Sequence, residues 1–137
     1  MNAIEFLREV EKLDKLAQDK LEMAAKLRAT LYSTTPKLKE DVVSGGGSQD
    51  KMGETLAKVV DLEREANVYI DRKADMAKVV KRIENERQRK ILLKHYFRGK
   101  RFWLIAHEMG LSVRTVKTHH KKALESLDKI LEYFYNY

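Results

Sequence analysis

The chain has 137 residues, which suits one compact domain or a small domain with an extension and is too short for a typical multidomain enzyme. Lys and Arg total 28 against 21 Asp and Glu, a net charge of +7 that implies an anionic partner, and the absence of cysteine excludes a disulfide framework and a thiolate metal site. No window approaches the ~18 uninterrupted apolar residues of a membrane span, and charge alternates with hydrophobe at the N-terminus, so membrane spanning and classical secretion are excluded and a cytoplasmic location is expected.

The N-terminal stretch carries apolar residues at Phe6, Val10, Leu13, Ala17, Leu21, Ala24, Leu27 and Leu31, spaced three or four apart, which predicts one long helix. Residues 34–50 hold the only proline, Pro36, and the run Gly45-Gly46-Gly47, and are expected to form a flexible linker. A second helical stripe follows at Met52, Leu56, Val59, Leu62, Ala66, Ile70, Ala74, Ala77, Val80 and Ile83. The two helices have matched lengths, so residues 1–84 are predicted to form a long, coiled-coil-like hairpin that serves oligomerisation. Antiparallel pairing within the chain is the default and pairing between chains is the competitor.

From residue 85 the pattern shortens. A helix is predicted over about 86–97, with a turn at Arg98, Gly99 and Lys100. A short helix from Phe102 to Met109 then ends at Gly110, and a longer one opens at Ser112, a suitable N-cap, and runs to about Tyr133. The fold class is therefore all-α: the hairpin, then a small domain at 85–137.

Charge separates the two parts. Residues 1–33 carry six acids and six bases, and 34–84 sum to zero, whereas 85–137 carry five acids and twelve bases. An excess confined to one small domain is the electrostatic footprint of a phosphate-binding surface. Within it, Ile105-Ala106-x-x-Met109-Gly110-x-Ser112-x-x-x-Val116 matches a helix-turn-helix pattern. Ala106 is small where the second helix crosses, Gly110 accepts a left-handed turn conformation, Ser112 caps the following helix, and Ile105, Met109 and Val116 fill the core between the two.

The stretches Ile91-Leu92-Leu93-Lys94-His95-Tyr96-Phe97-Arg98-Gly99-Lys100, Ile105-Ala106-His107-Glu108-Met109-Gly110-Leu111-Ser112, Thr115-Val116 and Ala123-Leu124 resemble region 4 of bacterial sigma factors over about 45 residues. That resemblance implies recognition of a promoter element and contact with RNA polymerase. The whole chain, with its TPKLKEDVVSGGGSQDKM linker and VVDLEREAN helix, also resembles a family of short phage and prophage proteins of Gram-positive bacteria that are described as transcriptional regulators. No aromatic-rich basic helix able to melt a promoter occurs in residues 1–84, so a stand-alone sigma factor is not expected.

With Val116 and Ala123 facing inward, Arg114, Thr115 and Thr118 are the candidates for reading DNA bases. Lys100, Arg101, Lys117, Lys121 and Lys122 are the candidates for holding phosphates. Trp103 and Leu104 fall outside the core face of their helix; packing against the long hairpin or the aromatic tail Tyr133-Phe134-Tyr135 is the first expectation, and a protein-contact patch for polymerase or self-association is the alternative. His119 and His120 adjoin on one helix, point about 100° apart and lack ligand spacing, so one is expected to pack near the hairpin and the other to face phosphate, and neither to bind metal. No phosphate loop, nucleophile triad or paired-carboxylate site is evident, so neither catalysis, a metal nor a cofactor is expected. The expected function is sequence-specific binding of double-stranded DNA by a homodimer or higher homo-oligomer, in transcriptional regulation of a phage or mobile element inside a bacterial host cell. The alternatives are the DNA-recognition subunit of a phage packaging terminase and a protein that docks on RNA polymerase.

Overall fold

The computed structural model describes the backbone of residues 1–41 and 47–135, and the side chains of 1–33 and 51–135. The fold is all-α: helices α1 (Ala3–Asp41), α2 (Gly47–Val80), α3 (Glu86–Leu92), α4 (Phe102–Met109) and α5 (Val113–Ile130), with π-helical turns extending α3 over Leu93–Phe97 and α5 over Leu131–Tyr135. No strand occurs among the described residues.

Part of the span expected as linker is helical. The helix formers Lys37 to Glu40 carry α1 past Pro36 to Asp41, and α2 starts at Gly47; residues 42–46 lie outside the described residues. By packing, the chain divides into two units, Lys15–Ile70 on one side and Met1–Asp14 with Asp71–Tyr137 on the other. α2 ends at Val80 and α3 starts at Glu86, and the first turns of α1 and the last turns of α2 share their core with the C-terminal helices.

In the unit Lys15–Ile70, Lys20 pairs with Glu65 at 2.9 Å and Arg28 Nε with Glu63 Oε1 at 3.0 Å, so partners descend along α2 as they ascend along α1. The pairing is antiparallel and within the chain. Among the described residues its buried side chains are small: Ala17, Ala24, Val59 and Ala66. Leu21, Leu56 and Ile70, expected in the same apolar stripes, are instead exposed. A stripe with three apolar positions per two turns is wider than a single facing helix can cover, so its flank stays open.

In the other unit, Ala3, Phe6, Leu7 and Val10 of α1 and Val79, Val80 and Ile83 meet Leu92 of α3 and Ala123, Leu127 and Leu131 in one buried cluster. A second cluster joins Ile91, Ile105, Ala106 and Val116, with Phe102, Met109 and Leu111 against it. α5 therefore buries one continuous line, Val116 in one cluster and Ala123, Leu127 and Leu131 in the other. Polar ties fix the same arrangement. The Ala3 amide donates to Asp128 Oδ1 at 2.6 Å, and the Lys73 ammonium donates to Asp14 Oδ1 at 2.7 Å and to the Phe97 carbonyl at 2.8 Å.

Candidate nucleic-acid interface

The turn between α4 and α5 follows from three residues. Gly110 has φ 66 and ψ 34, a left-handed conformation that costs an L-residue with a side chain about 1–2 kcal/mol. Its amide donates to the His107 carbonyl, and the Leu111 amide donates to the Ala106 carbonyl at 2.9 Å, so the last carbonyls of α4 are satisfied in a Schellman closure. Leu111 then packs against the Ile105–Ala106 cluster, and Ser112 starts α5 by accepting the Thr115 amide at 3.1 Å on its hydroxyl. The entry angle of α5 is thus set by a glycine, an apolar contact and a cap within three residues.

Beyond the cap, α5 has two faces. Val116, Ala123 and Leu127 are buried, while Arg114, Lys117, Thr118, Lys121 and Lys122 are exposed. Thr115 is half-buried, and its hydroxyl oxygen accepts from Ser112 Oγ at 2.8 Å. The Thr118 hydroxyl donates to the Arg114 carbonyl at 3.0 Å, which leaves its oxygen lone pairs outward as acceptors. Of the eight residues expected to meet nucleic acid, the five exposed ones on α5 share one helix surface with Thr115 at its edge.

The other two sit at the start of α4. Arg101 is the exposed N-cap residue of α4, with no capping bond from its side chain. Lys100 is not free: its ammonium bonds Glu108 Oε1 at 2.7 Å, and Lys94 reaches Glu108 Oε2 at 2.8 Å. The hydrogen bonds from Lys100 and then Lys94 hold the Glu108 carboxyl down to about 2 from its ordinary 4.5. This clamp across the α3–α4 turn was not legible in the sequence, because Lys94 and Glu108 lie far apart along the chain. Trp103 is 62% exposed, whereas its expected companion Leu104 is half-buried.

The histidines depart from expectation. His120 does not face outward; it enters a ring cluster with Tyr96, His95 and Phe102, hydrogen-bonded to the Tyr96 hydroxyl at 2.8 Å and edge-on to Phe102 at 5.0 Å. His95 stacks on Phe102 at 4.3 Å and donates through Nδ1 to the Lys100 carbonyl at 2.7 Å. The π-helical turn brings both His95 and Tyr96 into this cluster, and a 3.6-residue reading of the sequence gives no sign of it. Burial, with His95 adding to it, lowers the pKa of His120 and favours the neutral ring. His119 is half-buried, with Nδ1 enclosed and without a hydrogen-bond partner.

Among the described residues, no three of His, Cys, Asp and Glu gather in a metal-binding arrangement, and no helix is long and apolar enough to cross a membrane. Neither the curated proteins nor the solved structures provide a match to the chain. A family model described as "Protein of unknown function (DUF1492)" matches residues 32–128, from the end of α1 through most of α5. The candidate surface on α5 thus lies within the matched region, and the chain belongs to the DUF1492 family.

Proposed function

We propose that the protein is a sequence-specific, non-catalytic DNA-binding regulator of transcription in which α4, the Gly110 turn and α5 act as a helix-turn-helix and α5 enters the major groove. The observation that carries this reading is the two-faced α5: Val116, Ala123 and Leu127 are buried while Arg114, Lys117, Thr118, Lys121 and Lys122 project from the opposite surface, in the segment that holds the whole net charge of +7. Arg114 lies in the first turn of α5, where a recognition helix comes closest to base edges, and its fork suits the O6 and N7 acceptors of guanine. Thr115 and Thr118 are the next base-reading residues. Lys117, Lys121, Lys122 and Arg101 hold phosphates, and Lys100 does so only on release from Glu108. The resemblance to sigma factor region 4 and to phage regulators extends the proposal to a regulator encoded by a mobile element. Double-stranded DNA in a bacterial cytoplasm is then the partner.

The test compares two variants on a preferred duplex and on one altered at single base pairs. Arg114→Ala is expected to lose about 1–3 kcal/mol and to relax discrimination at one base pair; Lys117→Ala is expected to weaken all duplexes alike and to reduce the salt slope by about one. Equal losses for Arg114→Ala on every duplex would refute its base-reading role. One observation favours a second reading: the 62% exposure of Trp103 suits docking on RNA polymerase, which a polymerase pull-down without DNA, abolished by Trp103→Ala, would support.

A further inference from the structure

We infer that the unit Lys15–Ile70 docks on a second copy of itself through one side of its helix pair, giving a four-helix arrangement. Two ion pairs define the sides. Arg28–Glu63 bridges α1 and α2 on one side and Lys20–Glu65 bridges them on the other. Leu21, Ala25 and Tyr32 stand at seven, three and four residues from Arg28, and Leu56, Val60 and Ile70 at seven, three and seven from Glu63, so all six share the Arg28–Glu63 side. All six are exposed. Among the described residues, the Lys20–Glu65 side has one large exposed apolar side chain, Met23, three residues from Lys20, and Val68 lies at the back of α2.

Three observations identify the occupant as another copy. Among the described residues, the fully buried side chains of this unit are all small, Ala17, Ala24, Val59 and Ala66, and its larger apolar side chains such as Leu27 and Leu62 are only half-buried, so the seam inside one copy leaves apolar surface uncovered. Residues 15–70 carry nine acids and nine bases, so two copies meet without repulsion, and a nucleic acid finds no net attraction there. Lastly, Glu22 and Arg64 are exposed, pair with no described residue, and lie at the outer edges of α1 and α2. The Lys20–Glu65 pair places them at nearly the same height. A two-fold axis parallel to the helices therefore sets α1 of one copy against α2 of the other, antiparallel, and brings Glu22 of each copy beside Arg64 of the other. From residue 15 to 33 α1 rises about 27 Å, and the pair is about 20 Å wide, so the face offers about 500–550 Å² per copy. The total, about 1,100 Å², just exceeds the ~1,000 Å² that a specific interface needs, which fits a concentration-dependent dimer.

Sedimentation equilibrium of the full chain without DNA, from about 1 to 100 μM, tests this. The expected result is a monomer–dimer equilibrium that Val60→Glu weakens at least about tenfold while Met23→Glu, on the other side, leaves it unchanged, with far-UV spectra showing equal helix content. Glu22→Arg and Arg64→Glu are each expected to weaken the dimer severalfold, and the two together to restore it. A monomer at all concentrations, equal loss from Met23→Glu, or failure of the charge swap to restore association would overturn the proposal. No outcome depends on DNA binding, so this assignment and the proposed function fail separately.

Discussion

Replacing Gly110 isolates the conformational demand of the turn that aims α5. At φ 66 and ψ 34 an added Cβ meets no atom within 4 Å, so Gly110→Ala introduces backbone strain and no clash. The left-handed conformation costs alanine about 1–2 kcal/mol, and the narrower unfolded ensemble of alanine offsets about 0.4–1 kcal/mol of that. The net expectation is a loss of about 1 kcal/mol, a shift of about 0.5 M in the urea midpoint for a slope near 2 kcal/mol/M, with the slope itself unchanged. Gly110→Asn, whose side chain tolerates the left-handed region, is expected to lose about half as much, and the β-branched Gly110→Val more than alanine. Urea titration followed by far-UV circular dichroism ranks the series as Gly, Asn, Ala, Val. An alanine variant as stable as the parent, or an asparagine variant no better than alanine, would show that the turn does not rest on the left-handed conformation of residue 110.

The two perturbed ionisable groups each give a pH signature. Because Glu108 has its pKa lowered from 4.5 to about 2 by Lys100 and Lys94, its charged form favours the folded state; that stability is present above 4.5 and lost as the pH falls to about 2. Glu108→Gln is therefore expected to lower the urea midpoint at neutral pH and to converge with the parent across that window, and a pH-independent gap would contradict the clamp. His120 has its pKa lowered below 6.5 by burial and His95, so the folded state favours the neutral ring; this stability is present above 6.5 and is lost as the pH falls through the lower folded value. The parent is expected to lose stability relative to His120→Gln below about pH 6.5, by urea titration at stepped pH; parallel curves would show that His120 is not sequestered in the ring cluster.

The readable parts of the sequence were those governed by local rules. Apolar spacing located α1 and α2, and Gly110 with Ser112 bounded α4 and α5 at the residues where the chain turns and caps. The outward face of α5 followed from placing Val116 and Ala123 inside. Contacts between distant segments were not readable. Nothing in the spacing shows that Ala3 bonds Asp128, that Lys73 bonds the Phe97 carbonyl, or that Glu108 holds Lys94 and Lys100. The π-helical turn at Leu93–Phe97 rotates His95 and Tyr96 relative to a regular helix, and so the ring cluster around His120 escapes a 3.6-residue reading. Leu21, Leu56 and Ile70 fit the helical period yet stay exposed, because periodicity finds an apolar stripe without saying how much of it one partner covers.

The central claim, that α5 reads DNA sequence, is tested most directly by selection of bound fragments from a random duplex pool with the purified full chain, at about 0.15 M salt to suppress phosphate-only binding. The account predicts an enriched motif, one that Arg114→Ala relaxes at a single base pair. Recovery of the pool without enrichment would contradict it, and the basic surface of α5 would then be a sequence-independent clamp.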